Sequence, residues 1–174
     1  NASISELGCK VAAAVPNKAW ATARPPEGSG ARARILWVGR FTPEKRLSGA
    51  LEAARHCPEM GFEIVGDGAD GLMREASEAA RQLQNVSFLG RVPHERMRDH
   101  YARADVLLCT SEREGFPNTF IEAWCLGVPV VTTFDPDGVV ASEGLGAAVA
   151  DVKGLCGALR ALVGDAGEIE DCGR

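Results

Sequence analysis

From residue 33 onward the chain alternates between short, unbroken apolar runs and polar-faced segments of about ten residues. Few folds accept that pattern. Ala33–Val38, Gly61–Val65, Val86–Leu89, Asp105–Cys109 and Val128–Thr132 read as strands, with Ala147–Val149 as a sixth. Leu47–His56, Gly71–Leu83, His94–Ala104, Pro117–Leu126 and Val152–Val163 read as helices. Because the strands are apolar throughout rather than at alternate positions, both faces of their sheet must be covered. The reading is therefore an α/β fold, a doubly wound parallel sheet of about six strands. Ligands of such sheets gather beyond the carboxyl ends of the strands, so chemistry is to be sought in the loops that follow them.

The 174 residues divide into a segment and linker over 1–31 and one domain over 32–174. In the first part, Cys9–Pro16 offers a short apolar edge strand, and residues 23–31 are Pro/Gly-rich. A chain beginning at Asn1 rather than Met is expected to be processed or excised from a longer protein. A net charge of −5 argues against nucleic acid as a partner held by the overall field. No apolar run approaches the roughly 18 residues needed to span a membrane, so a cytoplasmic location is expected. Six cysteines contain no CxxC pair. They read as free thiols, with Cys109 and Cys125 inside apolar segments, rather than as a disulfide framework or zinc site.

The most informative segment follows the fourth strand. Thr110–Val131 holds Glu114 and Glu122 with seven residues between them, spanning a Gly-Phe-Pro turn and a helix start. Pro117 is read as the first helical residue, where its missing N–H costs nothing. The amides of Asn118 and Thr119 are then free to face an anion. Glu122 lies one turn further, about 6 Å along the axis, in an otherwise apolar stretch where a lone acid needs a partner. A carboxylate can accept two hydroxyls at once. The combination suits a sugar joined to a phosphate.

Other loops add to this. Arg40, Lys45 and Arg46 crowd the turn between the first strand and the first helix. Cations are unfavourable near a helix N-terminus by roughly 0.3–1 kcal/mol each, as though an anion were awaited; Arg40 offers a fork and Lys45 a point charge. After the second strand Gly66, Gly68 and Gly71 form a literal GxGxxG. That is a dinucleotide fingerprint in the correct context, but equally a tight turn of small residues, which we prefer. Asp135 and Asp137 make a literal DxD that can hold a divalent cation; Asp-Pro-Asp-Gly is also an ordinary turn, again the preferred reading. His56, His94 and His100 each read as exposed or capping residues.

Taken together, Gly-Arg-x4-Lys after the first strand and Glu-Gly-Phe-Pro with a second Glu at position 122 resemble the GT-B retaining glycosyltransferases of the glycogen-synthase-like group 1 type. The similar stretch runs from about Ala33 to Thr133, with a looser fit to Val163. The resemblance implies that the chain is the C-terminal, Rossmann-like half of a two-domain GT-B architecture, binding a nucleoside-diphosphate sugar. It implies that Arg40 and Lys45 grip the diphosphate and that Glu114 contacts the donor sugar, beside the amides of Gly115 and Phe116. Asn118 and Thr119 would offer amides, Glu122 would take the ribose hydroxyls, and the backbone around Arg91, Val92 and Pro93 would cover the base. Glu114, Arg40 and Lys45 are thus the catalytic candidates, and no cofactor or metal is expected. The family's N-terminal acceptor domain is missing, so the fragment alone is expected to be inactive. The expected acceptor class is a lipid-linked glycan or polysaccharide, and the full-length protein is expected in the cytoplasm, peripheral to the inner membrane. Two departures stand out: Pro117 offers no amide, and TTFDPDGVV replaces a Gly-rich loop with a downstream Glu.

Two other functions compete. An NADP-binding domain of an oxidoreductase would use Gly66, Gly68, Gly71 and Arg91, but leaves the Glu114/Glu122 spacing unexplained. A non-catalytic phosphosugar-binding module would keep the cleft without transfer.

Overall fold

The computed structural model describes residues 32–164. The expected edge strand in Cys9–Pro16 and the linker at 23–31 lie outside the described residues, as do Cys9 and Cys172. Six strands, β1 (Arg34–Val38), β2 (Gly61–Val65), β3 (Val86–Gly90), β4 (Val106–Cys109), β5 (Val130–Thr132) and β6 (Gly146–Ala148), form one sheet. Every neighbouring pair is parallel, and the order is β3-β2-β1-β4-β5-β6. Helices α1 (Leu47–His56), α2 (Asp70–Ala80), α3 (His94–Arg103), α4 (Asn118–Cys125), α5 (Val139–Ser142) and α6 (Val152–Val163) connect and follow them.

The unbroken apolar strands are explained by two cores. On β1, Ile35 and Trp37 point to one face and Leu36 to the other; on β4, Val106 and Leu108 oppose Leu107 and Cys109. The first core packs residues of α1, α2 and α6 and includes Ala50, Ala54 and Leu159. The second packs residues of α3, α4 and α5 and includes Met97, Phe120 and Val140. At roughly 25 cal/mol per Å² of apolar surface, this two-sided burial is the main stabilising term.

Chain order locates the cleft. β1 runs into α1 on one face, while β4 runs into α4 on the other, and β1 and β4 are neighbours. Their loops diverge at the carboxyl edge, which is where an open α/β sheet leaves a crevice.

Several details differ from the sequence reading. Single 3-10 turns form at Pro43–Lys45 and Pro136–Gly138, and the short α5 was not expected. Pro117 is not the first helical residue but the N-cap, with φ −69° and ψ 121°, so α4 begins at Asn118. The proline ring fixes φ near −65°, and an N-cap residue takes the extended, non-helical ψ seen here. At the other end Gly127 has φ +73°, and the amides of Gly127 and Val128 bond to the carbonyls of Trp124 and Ala123, each at 3.0 Å. That is a Schellman closure, in which glycine takes the left-handed position without a Cβ penalty. Cys57, Cys109 and Cys156 are free and buried. Cys125, expected to be buried in the same way, is half-buried and is not one of these free thiols.

Candidate functional site

The two loops at the crevice are tied together by a specific set of bonds. Lys45, at the end of the 3-10 turn after β1, places Nζ 2.6 Å from Oε1 of Glu114 in the loop after β4. The Ser111 hydroxyl donates to the same Glu114 oxygen. Beneath them, buried Trp37 donates from Nε1 to Thr110 Oγ1 at 3.0 Å, and Thr110 Oγ1 donates to the Lys45 carbonyl at 2.8 Å. The Glu112 amide donates to the Glu44 carbonyl at 2.9 Å. The Thr133 hydroxyl, after β5, donates to the Ser111 carbonyl at 3.1 Å. Three strand-end loops therefore fix the Lys45–Glu114 pair. Lys45 carries three N–H donors and the carboxylate about four acceptor sites, so both keep capacity for a further ligand.

Arg46 holds the turn in shape at a cost. It lies in the left-handed region at φ 47° and serves as the N-cap of α1 with no side-chain capping bond. A non-glycine residue there is strained by roughly 1–3 kcal/mol, and the turn it creates aims Lys45 at Glu114.

Beside the pair, α4 presents its N-terminus. Phe120 makes the first return bond, its amide donating to the Pro117 carbonyl at 3.1 Å. The amides of Asn118 and Thr119 are left without helical partners, and no side chain caps the helix. Gly115 is exposed. Phe116 is 39% exposed, its ring packed edge-on to Trp124 at 6.2 Å between centroids. Trp124 in turn donates to the Leu145 carbonyl at 3.0 Å, fixing α4 against the start of β6.

Glu122, half-buried, lines a groove between α3 and α4. That cavity, about 290 Å³, is lined by His94, Met97, Arg98, Tyr101, Ile121 and Glu122 among others. His94, read from sequence as a bystander, thus shares a wall with Glu122. Tyr101 was not singled out at all. It is buried, and its proton is held on by burial first and by the nearby Glu122 carboxylate second. The one sequence signal was its position four residues after Met97, on the buried stripe of α3.

Other candidates are not drawn into the cluster. Arg40 and Arg91 are exposed and have no ion-pair partner among the described residues. Val92 packs its side chain toward the second core, leaving only backbone to line a ligand. The first two glycines of GxGxxG face protein. A Cβ on Gly66, at φ +141°, would stand 1.8 Å from the Gly39 carbonyl oxygen, and one on Gly68 would stand 2.5 Å from Phe41 Cβ. Gly71 has open space around it. The first two glycines let β2 approach the β1 loop, where the Phe41 amide donates to the Asp67 carbonyl at 2.6 Å. In the DxD sequence, Asp135 accepts from the amides of Val140 at 2.8 Å and Ala141 at 3.2 Å, capping α5. Among the described residues no group of three or more His, Cys, Asp or Glu side chains could hold a metal ion.

A family model of group 1 glycosyl transferases matches residues 32–165. The chain belongs to the group 1 glycosyl transferases. Membership covers more than the sequence resemblance, which weakened after Thr133. Among curated members of the family, the chain is 36% identical over 101 residues to the teichuronic acid biosynthesis glycosyltransferase TuaC of Bacillus subtilis, covering 56% of this chain and 24% of TuaC. It is 30% identical over 156 residues to glycogen synthase of Mycobacterium tuberculosis, covering 84% of this chain and 37% of the synthase. Among solved structures, Anabaena HepE in complex with UDP superposes with a TM-score of 0.67 at 21% identity, covering 77% of this chain and 40% of HepE. Staphylococcus aureus TarM, solved with UDP among its ligands, superposes with a TM-score of 0.67 at 18% identity, covering 81% of this chain and 30% of TarM. At these identities the superpositions show the fold: this chain is one Rossmann-like unit of GT-B glycosyltransferases. It spans less than half the length of each of these relatives and structures.

Proposed function

We propose that this chain is the donor-binding half of a retaining glycosyltransferase, holding a nucleoside-diphosphate hexose for transfer by the longer protein. The observation that carries the reading is the Lys45–Glu114 contact at 2.6 Å beside the open amides of Asn118 and Thr119. A cation, an anion-binding helix end and a hydroxyl-accepting carboxylate then surround one crevice. In this reading Arg40 and Lys45 neutralise the diphosphate, and Glu114 turns its second oxygen to the donor sugar beside the amides of Gly115 and Phe116. Glu122 takes the ribose hydroxyls, and the backbone at Arg91 and Val92 borders the base. Solved relatives of the same fold carry UDP, and one carries UDP and glucose, which supports a nucleotide-sugar donor.

The chemistry rests on charge. As the diphosphate leaves, negative charge grows on its oxygens, and fixed donors aimed there stabilise the transition state more than the ground state. Arg40, Lys45 and the α4 N-terminus supply those donors, so the reading assigns no step to a metal. Retention of anomeric configuration is what the resemblance to the retaining group 1 enzymes implies; in this reading both Glu act as ligands of the donor. Among the described residues no helix is long and apolar enough to cross a membrane. We assign the acceptor, a lipid-linked glycan or polysaccharide, to an N-terminal domain of the longer protein, working in the cytoplasm at the membrane surface.

Calorimetry of this chain with UDP- and GDP-sugars tests the reading. Binding by wild type, and its loss in Lys45→Ala and Glu122→Ala, is expected. No binding by folded wild-type protein, or undiminished binding by both variants, would sink it.

A further inference from the structure

Tyr101 poses a question that packing does not answer. Its side chain is 1% exposed, yet its hydroxyl has no hydrogen-bond partner among the described groups. Buried hydroxyls are nearly always partnered, and leaving one unpaired costs roughly 1–3 kcal/mol. A phenylalanine would fill the same space without that cost. Tyr101 lines the α3/α4 cavity of about 290 Å³ that Glu122 also lines. Glu122 is near enough to influence the phenol proton, but the two groups do not meet hydrogen-bond geometry. Among the described residues Glu122 has no ion pair. The two side chains therefore share one cavity, and the Tyr101 hydroxyl is short of a partner there.

We propose that Tyr101 is a positioning residue: its hydroxyl donates to one oxygen of Glu122 when a nucleotide ribose enters, aiming the carboxylate at the two vicinal ribose hydroxyls. This rests on the reading of Glu122 as the ribose ligand. Only a donor suits the role. Tyr101 stays protonated beside the carboxylate, and its side chain is buried in the second core together with Met97. One oxygen of Glu122 engaged by the phenol leaves its remaining lone pairs for the two ligand hydroxyls. His94 and Arg98 border the same cavity but are exposed, so water screens them and they cannot fix the carboxylate as a buried donor does.

The test uses paired ligands. Wild type and Tyr101→Phe are titrated calorimetrically with UDP, GDP and ADP, then with the 2′,3′-dideoxy form of whichever wild type binds. Thermal melting is recorded for both proteins. The expected result is about tenfold weaker ribonucleotide binding by Tyr101→Phe, the scale of one hydrogen bond to a charged group. Dideoxy affinity is expected to be equal for the two proteins, and the melting temperature unchanged or higher. Equal weakening toward both ligands would mark a merely structural residue and overturn the proposal, as would no weakening at all; the donor-site reading survives either result. Absence of nucleotide binding by folded wild type overturns that reading and the Tyr101 proposal with it.

Discussion

Lys45→Ala perturbs two properties at once, and the structure separates them. The variant removes the partner 2.6 Å from Glu114. Exposed ion pairs contribute roughly 0.2–1 kcal/mol, whereas stripping one member from a fully buried pair costs roughly 3–5 kcal/mol. Here the side chains are 29% and 15% exposed, and Glu114 keeps the Ser111 hydroxyl. The case lies toward the exposed limit, so a loss of about 1–2 kcal/mol is expected, lowering Tm by roughly 2–8 °C for a domain of this size. Much of that loss is the carboxylate left without a counter-charge. Adding Glu114→Gln should therefore recover about 0.5–1 kcal/mol, the coupling read from a double-mutant cycle. Nucleotide affinity behaves differently. Lys45 is expected to supply a charge-assisted bond to the diphosphate of about 1.5–3 kcal/mol, so Lys45→Ala should bind UDP or GDP roughly 10–150-fold more weakly, and Glu114→Gln should restore none of it. Denaturant melts give the stabilities and calorimetry the affinities. A Lys45→Ala protein that loses stability but keeps its nucleotide affinity would show the lysine to be a structural partner only, and the charge-based mechanism would fall.

Other expectations are sharp enough to fail. Gly66→Ala should cost more than about 3 kcal/mol, because its Cβ would overlap the Gly39 oxygen at φ +141°; Gly71→Ala, in open space on α2, should be neutral or stabilise by up to about 1 kcal/mol. If instead Gly71→Ala abolishes nucleotide binding while the melt is unchanged, the dinucleotide-fingerprint reading returns. Thr110→Val should lower stability by roughly 2–4 kcal/mol, since it leaves the Trp37 indole N–H and the Lys45 carbonyl unpaired, and should weaken nucleotide binding by releasing the Lys45 turn; an unchanged chemical denaturation midpoint would refute that bond network. Asp135→Ala should cost about 1 kcal/mol as a lost cap of α5, with magnesium and chelator leaving the melt of wild type unchanged; a magnesium-dependent Tm lost in this variant would revive the metal reading of DxD.

Legibility varied along the chain for physical reasons. α1 and α6 begin and end where the periodicity places them, because each carries a continuous buried stripe. The expected strands shifted by a residue or two at β4, β5 and β6, where the ends are set by neighbours rather than by composition: the Leu107 amide, for example, bonds the Pro129 carbonyl just before β5. α5 was illegible because four residues are too few to show a period, and it exists only where Asp135 caps it from outside. The acids at 114 and 122 stood out by spacing, yet the sequence placed them as one clamp. The structure turns Glu114 toward Lys45 and Glu122 toward α3, because successive residues of a helix and its preceding loop diverge around the axis.

What the residues themselves determined is the local grammar. Unbroken apolar runs demanded a sheet covered on both faces, a proline and a glycine bracketed α4, and an acid in an apolar helix announced a polar neighbour. What only the tertiary structure decided is which residues meet. Lys45 and Glu114 are 69 positions apart, and nothing local pairs them. They touch because β1 and β4 are neighbours at the point where the winding reverses, and because the strained Arg46 turn carries the lysine over that seam. Tyr101 and Glu122 likewise share a cavity only because α3 and α4 pack side by side on one face of the sheet. Strand order is a property of the whole fold, set by how all the apolar faces are buried together, and so the contacts that depend on it were beyond any reading of the chain in one dimension.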